Sequence, residues 1–216
     1  MSRITFATYP PGTMANVNSG EVRAWEILRA QAPLDVAARA GVRYDQSSAS
    51  FVVQSFGQEL LVCPGQQSIT ATSAEGERLV QRAGYFARLA VLTYLGHARP
   101  ASPAGTWVKP ADLKAGDIYY RGSHVLPLGK LSAKYDGQAP DFLARGAALG
   151  GEPLTYGDAS LRLYPFPHLP MAIVLWESDE EFGARAEILF DATCELHLPA
   201  DILWSTAMLC VTVMLY

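Results

Sequence analysis

Cysteine is scarce in this 216-residue chain: Cys63, Cys194 and Cys210 are its only three, and their wide separations match no Cys-x-x-Cys or other metal-ligand spacing. A disulfide scaffold is excluded, and an odd count of dispersed thiols points to a reducing cytosol. Long hydrophobic runs are missing as well. The most apolar tract, Ile202 to Tyr216, spans 15 residues and contains Ser205, Thr206 and Thr212. It falls short of the roughly 20 residues that cross a bilayer and reads as a buried helix. The first residues, Met1 to Pro11, hold too short an apolar run for a signal peptide, so the expected location is cytoplasmic. Basic charge is also in short supply. Seventeen Lys and Arg stand against 21 Asp and Glu, for a net charge of −4. That balance disfavours a polyphosphate partner, including a nucleic-acid reading built on Tyr119, Tyr120, Arg121, Lys130 and Lys134. Neither nucleic acid nor membrane is expected, which leaves another protein or a small molecule as partner and the oligomeric state open.

The motif-bearing enzyme classes are absent in turn. Gly129-Lys130 is followed by Leu131 and has no upstream glycine at the Walker spacing. No Gly-x-Gly-x-x-Gly, Gly-x-Ser-x-Gly or His-Glu-x-x-His occurs either. P-loop enzymes, Rossmann dehydrogenases, α/β hydrolases and zincins are therefore removed, though enzymes in general are not.

What is present is a core. Half of the residues are apolar and 10 % aromatic, enough for one domain that buries roughly 70 % of its unfolded surface. Residues 1–18 hold Pro10, Pro11, Gly12, Asn16 and Asn18 without an apolar period, and read as an N-terminal arm before a single domain over 19–216. Asn18 and Glu21 stand at capping-box spacing ahead of Val22, Trp25 and Leu28, which predicts a helix from there. Pro33 and Gly41 bracket a second, over Leu34 to Ala40. Runs at Ser50 to Phe56, Glu59 to Cys63 and Ser68 to Thr72 predict a small antiparallel meander. The period at Leu79, Ala83, Phe86, Ala90 and Tyr94 gives the longest helix, stopped near Gly96. An ordered connection over 98–122 follows, holding Trp107 and Tyr119-Tyr120, then helices near Pro127 to Tyr135 and Pro140 to Leu149. Strands are predicted at Leu154 to Tyr156, Ser160 to Tyr164, Met171 to Trp176 and Ala184 to Phe190, before a closing helix after Pro199. The continuously apolar Met171 to Trp176 should be central. Helices and meanders alternate without regular βαβ order, so the class is α+β: antiparallel sheets packed against several helices in a single compact domain.

The net charge conceals an uneven distribution. Between Glu177 and Asp201 eight acids face one base, Arg185, which makes this stretch −7 and the remainder +3. Its densest part is Trp176-Glu177-Ser178-Asp179-Glu180-Glu181-Phe182, four carboxylates directly after the expected central strand, where a rigid strand ends in a loop. Such a group can hold a hard divalent cation through oxygen or keep one proton for acid–base work. A solvated hairpin turn has the same pattern; burial of Trp176 and Phe182 on either side would turn some carboxylates inward. Asp158, at the Gly157-Asp158 turn before another strand, joins the set if it lies beside Glu177 or Asp179. His168, in a proline-rich connection, can face the same loop. Asp191, Glu195 and His197 share a side if their segment is extended, a weak ligand set that Cys194 and Leu196 facing the core explain equally well. His97 reads as a helix C-terminal cap and His124 carries no signal. The ligand-binding candidates are thus Asp158, Trp176, Glu177, Asp179, Glu180, Glu181 and His168, and the metal candidates Asp158, Glu177, Asp179, Asp191 and His197.

Several stretches together resemble a known family: Ala24-Trp25-Glu26-Ile27-Leu28, Gly105-Thr106-Trp107-Val108, Leu149-Gly150-Gly151, Gly157-Asp158-Ala159-Ser160, and above all Leu175 to Phe182 followed by Ile188-Leu189-Phe190-Asp191 and Leu198-Pro199. This is similar to an uncharacterised prokaryotic family, domain of unknown function 3786, over nearly the whole chain. The resemblance implies a soluble protein of bacteria or archaea, often anaerobes. Some members carry an added cysteine-rich iron–sulfur domain of the type found in corrinoid methyl-transfer systems. This chain departs there, having no cysteine cluster for an iron–sulfur centre of its own. The family transfers no catalytic residue. Two functions are therefore expected: a cytosolic binding or accessory protein, in iron–sulfur, corrinoid or one-carbon metabolism, or a small metal-assisted hydrolase or lyase using the acids at 177–181, with His168 or His197 moving protons.

Overall fold

A computed structural model describes residues 13–114, 116 and 125–216. Residues 1–12 of the expected arm, together with Tyr119, Tyr120, Arg121 and His124, lie outside the described residues. Helix α1 (Thr13–Arg29) begins well before the expected start, so Asn18 lies inside a helix and opens none. Glu21, expected as its capping partner, instead accepts the indole N–H of Trp25 at 3.2 Å and the Nε–H of Arg88 at 3.0 Å. Helix α2 (Pro33–Ala40) runs from Pro33 to Gly41, whose φ of 64° lets its N–H turn back to the Ala37 carbonyl.

The first sheet is antiparallel in chain order: β1 (Arg43–Asp45), β2 (Ser50–Ser55), β3 (Gln58–Cys63) and β4 (Ser68–Ala71). Three of these strands match the expected meander. The fourth, β1, is too short to announce itself and exists because Tyr44 pairs with Phe51, their rings 5.0 Å apart. Helix α3 (Ala74–His97) starts with the Ser73 hydroxyl accepting the Gly76 N–H at 2.9 Å. It is broken at Gly84, whose φ of 53° and ψ of −135° only glycine adopts readily.

After β5 (Trp107–Val108) and a 3-10 turn at Pro110–Asp112 come α4 (Leu128–Tyr135) and α5 (Ala139–Ala148). Then follow β6 (Glu152–Pro153), β7 (Ala159–Phe166), β8 (Leu169–Trp176) and β9 (Arg185–Asp191). These form a five-stranded antiparallel sheet in the order β5-β9-β8-β7-β6. The apolar run is the central strand, as its composition predicts, and every residue of β8 is buried except Trp176, which is partly so. The strand expected at Leu154 to Tyr156 falls instead at Glu152–Pro153, because Leu154 and Tyr156 turn back to bond Ser160.

A hydrogen bond between Phe56 and Tyr164 links the two sheets. Pro165 has no N–H, and the β7–β8 register shifts between Leu163 and Phe166; the Tyr164 carbonyl accepts the N–H of Phe56 at 2.9 Å instead. Phe56 and Gly57 form the β2–β3 turn with φ of 49° and 72°, the primed geometry of a two-residue hairpin, and Phe56 is fully buried. A short helix α6 (Cys194–His197) precedes α7 (Ala200–Leu215). The carbonyls at the end of α7 are taken by side chains: Val213 by Arg145 at 2.7 and 3.0 Å, Met214 by Tyr135 at 2.6 Å and Lys134 at 3.1 Å. The fold is α+β. No helix among the described residues is long and apolar enough to cross a membrane.

Candidate functional site

The acidic loop leaves the central sheet where β8 ends, and four carboxylates in and beside it, those of Asp136, Asp158, Glu177 and Asp179, accept backbone N–H groups. Asp158 Oδ2 accepts the N–H of Glu177 at 2.8 Å, which places Asp158 beside the loop. Glu177 Oε1 accepts the N–H of Ala139 at 2.9 Å. Asp136, a residue the sequence did not single out, accepts the Ser178 N–H at 2.8 Å and its hydroxyl at 2.9 Å. Asp179 Oδ1 accepts the N–H groups of Glu181 and Phe182 at 2.8 and 2.7 Å. Hydrogen bonds of this kind favour the charged form, and they hold both Asp136 and Asp179 below the ordinary carboxylate range. Each of these acids thus fixes a turn or a neighbouring segment, while Glu180 and Glu181 are exposed.

The aromatic bracket differs from expectation. Phe182 is 68 % exposed, because the loop turns on Asp179 and carries the ring away from the sheet. Trp176 is only partly buried, and its outer face is covered by the guanidinium of Arg185, 4.2 Å from the ring centre. Arg185 stands directly opposite Trp176 in the β8–β9 ladder, so this cation–π pair is a cross-strand pair. Asp158, Trp176, Glu177, Asp179, Phe182 and Arg185 line one open cleft. Its empty space is about 960 Å³ with the mouth included.

The histidines lie elsewhere. His168 occupies the tight turn joining β7 to β8, at the opposite end of these strands from Asp158 and Trp176, so it does not face the acidic loop. Its ring packs on Gly41, where an added Cβ would come within 2.7 Å of Nε2, and stacks on His197 with centroids 5.6 Å apart. His197 is buried on α6, so the extended segment that would align Asp191, Glu195 and His197 does not exist. Its Nδ1 accepts the Arg99 N–H at 3.4 Å and its Nε2 has no hydrogen-bond partner among the described residues. Burial lowers both histidine pKa values, with the neighbouring ring adding to the effect at His197 and Asp191 opposing it.

Asp191 is fully buried and fully used. It accepts from Ala104 and Gly105 N–H at 3.0 and 2.8 Å, and from the N–H and hydroxyl of Thr193 at 3.0 and 2.7 Å. Burial opposes its charge, but these bonds outweigh it and lower the pKa. The thiols of Cys194 and Cys210 are buried and pushed upward, Cys194 to about 12, which makes both inert. Among the described residues no group of three or more His, Cys, Asp and Glu side chains is placed to hold a metal ion.

The same segments that build this loop and its supporting sheet carry a family signature. The family model described as Domain of unknown function (DUF3786) matches residues 32–213. The chain belongs to that family. The match takes in both sheets, the acidic loop and most of α7, and begins after α1. No curated protein and no solved structure matches the chain. For this member of the family, the residues missed by sequence reading are Asp136, Phe182 as an exposed ring, and Arg185. The signal for Arg185 was present in principle, since a hairpin turning over 177–184 pairs it with Trp176.

Proposed function

We propose that this protein is a cytosolic binding or accessory protein that recognises a partner protein through the cleft at the end of β8. One observation carries the reading: an exposed Phe182 stands beside an Arg185-covered Trp176 on a loop whose shape is held by carboxylate-to-backbone hydrogen bonds. Trp, Arg and large aromatic side chains dominate binding hot spots, and a loop ordered in advance loses little entropy on docking. The acids around them form a polar rim that selects a partner with a basic complementary face. The family resemblance supports a role of this kind in iron–sulfur, corrinoid or one-carbon metabolism, with the cofactor carried by the partner.

The test uses the full chain expressed with a tag in its native cells under exclusion of oxygen. A protein retained stoichiometrically by the wild type and lost with both Phe182→Ala and Arg185→Ala supports the reading. Retention of the same proteins by both variants overturns it, as does stoichiometric metal in the purified chain that disappears with Asp158→Asn or Asp179→Asn.

A further inference from the structure

We draw no further inference here: the strongest candidate, the apolar cleft between β9 and the start of α4 lined by Val125, Leu126, Leu128, Ala186 and Ile188, adjoins residues outside those described, and nothing in the structure shows what covers it.

Discussion

The Glu177 carboxylate accepts the N–H of Ala139 at 2.9 Å, so an acid of the loop after β8 caps the first turn of α5 from outside the helix. Gln138, at the N-cap position itself, makes no side-chain cap, which leaves the role open to Glu177. The reverse strap runs from Ser178 to Asp136, so two consecutive loop residues clasp the segment between α4 and α5. Glu177→Ala should cost about 1 kcal/mol, the usual worth of an N-terminal cap, and Glu177→Gln less, because the amide oxygen still accepts. Urea denaturation checks both. A double-mutant cycle with Asp136→Ala should give a coupling above about 0.5 kcal/mol, as expected for residues sharing one network. Additive losses would show the two straps to be independent.

The stacked pair His168 and His197 makes stability depend on pH in the weakly acidic range. Both folded-state pKa values lie below the ordinary histidine value near 6.5. Above that pH both rings are neutral, folded or unfolded, and stability is at its plateau. Below it the unfolded chain takes up protons first, so stability falls until the folded-state values are reached. The groups facing His197 are His168 from the β7–β8 turn, Asp191 from β9, Tyr94 from α3 and the Arg99 N–H; of these only Asp191 opposes the shift. Asp191 itself, with a lowered pKa, gives up its contribution only below about pH 4, a separate window. Denaturation midpoints between about pH 5 and 7 should slope downward with acid in the wild type and flatten in His197→Phe. An equal slope in the two proteins would assign the dependence elsewhere.

Asp191 binds the connection after α3 to the end of β9, and its four accepted bonds predict a large effect. Asp191→Ala leaves the N–H groups of Ala104, Gly105 and Thr193 without their buried acceptor, at a cost of about 3 kcal/mol or more. The denaturation midpoint should fall with an unchanged slope against urea. Asp191→Asn keeps one acceptor oxygen and should lie between the two. A loss below about 1 kcal/mol for the alanine variant would mean that water replaces the carboxylate.

The contrast between Asp191 and His197 shows what a sequence of this kind discloses. The central strand β8 was legible because a short, continuously apolar run bounded by turn residues must be buried on both faces, and the α2 boundaries because Pro33 and Gly41 act locally. The long helix over α3 was legible too, but not its break, since Gly84 lies within an unbroken apolar period and a lone glycine inside such a period does not by itself announce a kink. Among site residues, the acidic loop was readable from composition, whereas the placing of Asp158 beside Glu177 was not, because Gly157-Asp158 reads equally well as a local turn. The direction of Phe182 was not, because it depends on Asp179 taking the loop N–H groups to itself. The histidine stack was hidden for a different reason: His168 and His197 are far apart in sequence and meet only because α6 folds a stretch that alternation alone reads as extended.

Gly157 determines how the cleft at the end of β8 is shaped, and a single methyl group there tests it. Its φ is 56°, and an added Cβ would lie 2.5 Å from the Leu175 carbonyl oxygen and 3.2 Å from the Trp176 ring. That same carbonyl accepts the Asp158 N–H at 2.9 Å, while Asp158 Oδ2 takes the N–H of Glu177. Gly157→Ala therefore forces the turn off β8 and pulls Asp158 from Glu177, for a loss of about 1 to 3 kcal/mol from backbone strain alone. Asp158→Asn retains an acceptor for the Glu177 N–H and should cost under about 1 kcal/mol. Fluorescence of Trp176, isolated by difference against Trp176→Phe, should change in Gly157→Ala and stay near wild type in Asp158→Asn. If both variants alter it equally, the carboxylate charge and not the turn holds Trp176 under Arg185.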